Sequence, residues 1–186
     1  QLKYGDLCGL DRYRDLDVET LDMLLTEAVK FAGGVVAPLQ ESGDREGVVY
    51  SQGKVRCASG FKEAFGLCGD NGWIAATEDT GYGGQGFPRL MGTVTNDLMY
   101  GACISFQMAP SLTHGAGGLI ESFGTDALKT AYLEKMYTGK WAGTMCLTEP
   151  GAGSDLGDVK TKATKQSDGS YLLEGEKIFI TSGEHD

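Results

Sequence analysis

Histidine is almost missing from this chain: His114 and His185 are the only two in 186 residues, and no H-E-x-x-H spacing occurs. A histidine-rich metal centre is therefore not expected. No apolar run reaches the length of a membrane span, and the opening Gln1-Leu2-Lys3-Tyr4 has neither an initiator Met nor a charged segment leading into an apolar one. The chain reads as soluble, with a trimmed or incompletely represented N-terminus. Basic residues are in the minority, 16 Lys and Arg against 26 Asp and Glu, for a formal charge of −10. That balance argues against nucleic acid as a partner, since phosphate binding needs clustered Lys and Arg. The five cysteines, Cys8, Cys57, Cys68, Cys103 and Cys146, are odd in number and lack a C-x-x-C pair, so they suggest neither a disulfide framework nor a zinc knuckle. A reducing, cytoplasmic setting is expected. There is no internal repeat or low-complexity segment.

What the chain does contain is a run of helical patterns followed by a change of texture. Asp17 can cap a helix whose apolar positions Leu21, Leu24, Leu25, Ala28, Ala32, Val35 and Leu39 keep the three-and-four spacing of one buried face. Residues 41–56, rich in Gly and charge, read as a loop. Ser59 is then expected to cap a short helix carrying Phe61, Ala64, Phe65 and Cys68, closed by Asn71-Gly72. Pro88 opens a further helix through Leu90, Met91, Val94 and Leu98, and residues 102–120 hold one that is apolar around most of its circumference and so should be central. Thr125 caps a last helix through Leu128, Ala131, Tyr132, Lys135 and Met136, ending at Gly139.

From Trp141 the pattern favours strands, over 141–147, 159–165 and 171–181, the last two joined as a hairpin through Ser167-Asp168-Gly169-Ser170. Three strands cannot bury both faces of a sheet, so the chain is expected to be a piece of a larger assembly. The division falls at 1–140, helical, and 141–186, the first strands of a β-domain.

Two glycine-rich stretches compete for attention. Gly81-Tyr82-Gly83-Gly84-Gln85-Gly86 fits G-x-G-x-x-G literally, but no hydrophobic strand precedes it, so it reads as a surface loop without a nucleotide. Thr144-Met145-Cys146-Leu147-Thr148-Glu149-Pro150-Gly151-Ala152-Gly153-Ser154-Asp155 is different. An apolar stretch runs into a turn that Pro150, Gly151 and Gly153 enforce, exposing backbone amides beside the Thr148 and Ser154 hydroxyls. Such a donor array suits the carbonyls, ring nitrogens and phosphates of a large cofactor, although both hydroxyls could equally serve the turn itself.

Cys146 to Asp155 resembles the signature of the acyl-CoA dehydrogenases, which are flavoenzymes. Gly175-Glu176-Lys177-Ile178-Phe179-Ile180-Thr181-Ser182-Gly183 resembles the strand that lies against the flavin ring in that family, and the likeness extends upstream to about Asp17. The chain's opening and Gly183-Glu184-His185-Asp186 are most similar to the branch that includes 3-methylmercaptopropionyl-CoA dehydrogenase.

The resemblance implies an α+β architecture: an all-α N-terminal domain, the beginning of a β-barrel-like middle domain, and a C-terminal helical bundle that these residues do not contain. It implies FAD, contacted by Met145, Leu147, Thr148, Gly153 and Ser154, with Thr148 bonding the pyrimidine side of the ring. Phe179, Ile180 and Thr181 would line the other approach, Thr181 offering its hydroxyl to flavin N5. Phe179 stands where many members have Trp, so stacking is kept and an indole N–H is lost.

The implied reaction is α,β-desaturation of an acyl-CoA thioester, in fatty acid metabolism, with electrons passed to an electron-transfer flavoprotein by a homodimer or homotetramer. The alternatives are an acyl-CoA oxidase that uses oxygen, or a non-catalytic assembly fragment supplying half a flavin site. Ser154 would also face the CoA arm; that polyanion needs a local cluster such as Lys160 and Lys162, or basic residues outside this chain, or another subunit; and Phe106, with Met108 and Leu112, would bound the acyl pocket. No catalytic residue is expected in this chain, because the family's base lies in its C-terminal domain. Glu149, beside Pro150, is expected to be structural, and His114 a packed, hydrogen-bonded core residue.

Overall fold

In a computed structural model the described residues are 3–185. They form two compact units, one running up to Gly143 and including Glu184 and His185, the other spanning Thr144–Gly183.

The first unit is helical. Short 3-10 turns at Tyr4–Gly9 and Asp11–Tyr13 lead to α1, Val18–Phe31, whose first turn is capped as the sequence suggests: the Asp17 carboxylate accepts the Thr20 N–H at 2.7 Å. The apolar stripe from Leu21 to Leu39 does not lie on one helix. At Gly33-Gly34 the chain widens into a π turn over Ala32–Val36, where the Ala37 N–H reaches back five residues to Ala32. Two adjacent glycines supply little to hold a regular helix, and the extra residue re-phases the stripe so that both Val36 and Leu39 stay buried.

α2, Leu39–Glu46, and a hairpin of β1, Val49–Ser51, with β2, Lys54–Arg56, replace the loop expected over 41–56. The hairpin closes on Gln52 and Gly53, both at positive φ (53° and 76°), which is the tight two-residue turn that suits strand twist. Ser59 is not a cap. Gly60, at φ 87°, stands at the start of α3, Phe61–Asp70, and Ser59 instead donates its N–H and hydroxyl to Glu46 on α2. Asn71-Gly72 closes α3 as expected.

Pro88 precedes α4, Arg89–Ala102, and α5 runs Ile104–Phe123. α5 is not buried all round. Phe106, Gln107, Pro110, Thr113 and Gly117 face inward, while Ile104, Met108, Leu119 and Phe123 are exposed. α6, Asp126–Tyr137, begins with the Thr125 hydroxyl accepting the Leu128 N–H. The main core gathers Ala28, Phe31, Val36, Leu39, Ala64, Cys68, Ile74, Met99, Cys103 and Phe106, with Phe61 edge-on to Phe106 at 5.6 Å. Residues 81–86 form a surface turn whose Gly84 lies so close to the backbone of Glu78 that a Cβ there would sit 2.2 Å from its carbonyl oxygen. Its glycines serve close packing.

The second unit holds one antiparallel hairpin, β3, Lys162–Lys165, with β4, Tyr171–Glu174, closed through Ser167–Ser170 as the sequence indicates, with Asp168 accepting from Ser170. The strand expected over 141–147 does not form. Trp141 lies against α6 instead, its ring 4.1 Å from the Lys135 ammonium and 5.8 Å from Tyr132, and the Gly143 N–H donates to Thr113 on α5. These side-chain attachments hold 141–143 on the helices. Residues 175–181 likewise lie outside the ladder, and the expected three-stranded sheet is two-stranded among the described residues.

Candidate flavin-facing site

The second unit is organised around the turn after Thr148. Glu149 and Ala152 exchange backbone bonds at 3.0 and 3.1 Å, which places Pro150 and Gly151 at the corner and leaves Gly153 and Ser154 exposed beyond it. Asp155 then accepts the Gly157 N–H and starts a single 3-10 turn.

Residues 144–148 run beside 177–181. The Ile178 N–H donates to the Thr148 carbonyl at 2.9 Å, and the Thr144 hydroxyl donates to the Thr181 carbonyl at 2.5 Å. Between these two fastenings Phe179 adopts φ 54°, a left-handed conformation that costs a bulky residue about 1–3 kcal/mol. Its ring is 87 % exposed. Met145, at 60 % exposure, and Leu147 are also turned outward, while Thr148, Ile180 and Thr181 are half-buried.

Glu149 is the anchor of the unit. Although 6 % exposed, its carboxylate accepts four hydrogen bonds, from the Lys160 N–H (2.7 Å), the Thr161 N–H (2.9 Å), the Thr161 hydroxyl (2.5 Å) and the Lys177 ammonium (2.8 Å). Lys177 foremost, then Thr161 and the Lys160 amide, hold its carboxyl down at about 2. A carboxylate so satisfied and so acidic is no proton acceptor near neutral pH. The Lys177 ammonium also donates to the Leu147 carbonyl at 2.9 Å.

The expected site residues thus separate. Met145, Leu147 and Thr148 are brought beside Ile180, Thr181 and Phe179; Gly153 and Ser154 follow on the exposed arm of the turn, and Lys160 and Lys162 carry exposed side chains in the same unit. Phe106 belongs to the helical unit, where it is 1 % exposed in the core and lines neither of the cavities described there.

Sequence reasoning missed two features. One is Lys177, whose only signal was a cation standing directly before the apolar run Ile178-Phe179-Ile180. The other is a cavity of about 340 Å³ within the helical unit, lined in part by Trp73, Glu78, Arg89, Gln107 and His114. His114 bonds the Ile74 carbonyl through Nδ1 (2.9 Å) and approaches Glu78 through Nε2 (3.2 Å). Trp73 Nε1 and Gln107 Oε1 are buried without a hydrogen-bond partner among the described residues. No sequence pattern announces this cavity, because three separate segments build it.

The sequence model of the acyl-CoA dehydrogenase N-terminal domain matches residues 18–140, and that of the middle domain matches residues 144–185. The chain belongs to the acyl-CoA dehydrogenase family. It is 41 % identical over 178 residues to 3-methylmercaptopropionyl-CoA dehydrogenase of Ruegeria pomeroyi, covering 96 % of this chain and 30 % of that protein. It is 33 % identical over 190 residues to a butyryl-CoA dehydrogenase of Syntrophomonas wolfei, covering 100 % of this chain and 31 % of the relative. Among solved structures, butyryl-CoA dehydrogenase from Megasphaera elsdenii superposes with a TM-score of 0.72 at 29 % identity, over 88 % of this chain and 41 % of that one. The chain therefore spans about a third of the length of these curated relatives. The order of the two units, helices first and the turn after Thr148 second, follows that of the family's N-terminal and middle domains.

Proposed function

We propose that this chain contributes the helical domain, residues 1–140, and the flavin-facing start of the middle domain, residues 141–186, to an FAD-dependent acyl-CoA dehydrogenase. The observation that carries the reading is the pairing of 144–148 with 177–181, which sets outward apolar side chains beside half-buried hydroxyls. Those residues fit an isoalloxazine ring: Phe179 and Met145 offer exposed apolar surface for its face, and Thr148 and Thr181 offer hydroxyls for its edge. Bound FAD supplies the acceptor for the hydride that leaves the acyl β-carbon as a carboxylate elsewhere in the protein takes the α-proton.

This chain's share is to hold and orient. Thr148 and Thr181 fix the ring, Gly153 and Ser154 present backbone amides and a hydroxyl to its polar arm and to CoA, and Lys160 and Lys162 offset the CoA phosphates. Glu149 is committed to the fold. The acyl-CoA substrate, the electron-transfer flavoprotein partner and a homodimeric or homotetrameric assembly are part of the same proposal.

The test is anaerobic titration of the FAD-loaded protein with acyl-CoAs of graded length and a thioether acyl-CoA. Bleaching of the flavin band, with peroxide release absent in air, is the expected result; peroxide formation would instead identify an oxidase. In a Thr148→Val, Thr181→Val double variant, each lost hydrogen bond should cost about 1 kcal/mol of FAD affinity. Unchanged flavin content and spectrum in that variant would remove both threonines from the site.

A further inference from the structure

We infer that Lys177 is a positioning residue of the flavin site, resting on the function proposed above. Its ammonium bonds the Leu147 carbonyl and the Glu149 carboxylate at once, so one cation grips the chain on both sides of Thr148. Lys177 lies two residues before Phe179, and the Ile178 N–H between them bonds the Thr148 carbonyl. The left-handed Phe179 is thereby pinned from one side by Lys177 and Ile178 and from the other by the Thr144 hydroxyl on Thr181.

A strained residue keeps its conformation only when its surroundings over-determine it. Among the described residues, this unit buries a single apolar side chain, Ala152, so within them the determination falls to the hydrogen bonds of Lys177, Ile178 and Thr144. The Lys177 side chain is only 21 % exposed, and its two acceptors sit on the segment that carries Thr148. Replacing the ammonium releases the registry between Thr148 and Phe179, the two residues from which an aromatic ring would take its edge contact and its face contact. Lys177 touches neither the substrate nor the ring in this scheme. Its effect passes through those two neighbours.

The experiment compares wild-type, Lys177→Met and Lys177→Arg protein carrying FAD, reading the FAD dissociation constant, the visible flavin band and the melting temperature. Lys177→Met should weaken FAD binding by about tenfold or more and shift the band of the flavin that remains, while Lys177→Arg, which keeps the charge and the donors, stays within about threefold of wild type. A merely stabilising lysine would lower the melting temperature without moving the band. Lys177→Met protein with wild-type affinity and band position overturns the inference. Should Lys177→Met fail to accumulate, Thr144→Val opens the other side of Phe179 and must move the band too; an unmoved band there also overturns it. Wild-type protein that takes up no FAD overturns the proposed function itself, a result distinct from a silent Lys177 variant in a flavin-binding protein.

Discussion

The helical unit and the strand unit solve the problem of staying folded by opposite means. The first buries a continuous apolar cluster from Ala28 to Phe106 and satisfies its polar groups chiefly within helices. The second, among its described residues, buries Ala152 and the carboxylate of Glu149, and both strands of its hairpin are exposed along their length. One unit is held by many weak, non-directional contacts and the other by a few directional bonds converging on one charge. Damage should therefore be graded in the first and concentrated in the second.

The comparison is broken most severely by Phe106→Ala. Removing a ring packed at 1 % exposure should cost about 3–5 kcal/mol and lower the melting temperature of the helical unit, read by far-ultraviolet circular dichroism. Amide exchange within 144–183 at temperatures below that transition should stay as in wild type. Rapid exchange throughout both units would show that they do not differ in the way described.

Glu149→Gln should do the reverse. Helical circular dichroism holds, while the amides of Lys160, Thr161 and Ile178 exchange about tenfold faster, because an amide answers the Lys177 ammonium and the Thr161 donors less well than a carboxylate. The pH dependence follows from the same group. Its folded-state value, about 2, lies below the ordinary 4.5, so its stabilising contribution is complete above about 4.5 and is lost as pH falls from there through about 2. Exchange at Thr161, corrected for its intrinsic pH dependence, should rise across that window in wild type and remain flat in Glu149→Gln.

The smallest expected effect is a sharpening one. Thr125→Ala removes a helix cap on α6 whose bond is long, 3.4 Å, and should cost about 0.5–1 kcal/mol, measured by denaturant unfolding of the helical transition. A loss as large as that from Phe106→Ala would mean that helix ends, rather than the apolar cluster, limit the first unit.

What could be read from the sequence follows from how local its cause is. Asp17 and Thr125 were recognisable caps, and Ser167 to Ser170 a recognisable hairpin, because each is written within a few residues. α2 was hidden by Gly43 and its charges, although Leu39 and the Glu46 bond to Ser59 anchor it from outside. The β1–β2 turn was hidden by Gln52, which stands where Asn would have announced a positive φ. Trp141 to Leu147 carries strand-forming residues and forms no strand, since Trp141 and Gly143 are claimed by α6 and α5. At the site, the turn at Pro150 and Gly151 was legible from composition, and the family from the resemblance of two separated motifs. Lys177 was not, because a lysine in an extended stretch ordinarily reads as a solvated edge residue.

The clasp of Trp141 by Lys135 and Tyr132 has a practical side. The chain has two indoles, and they occupy unlike surroundings: Trp73 packs on Phe31 beside the helical core, whereas Trp141 is 45 % exposed under an ammonium group at the last turn of α6. Their fluorescence should resolve into a shorter-wavelength component that survives until the core melts and a longer-wavelength one that responds as soon as α6 frays. Without any added label, the protein carries an emission ratio that distinguishes loosening at the end of its helical unit from collapse of its interior.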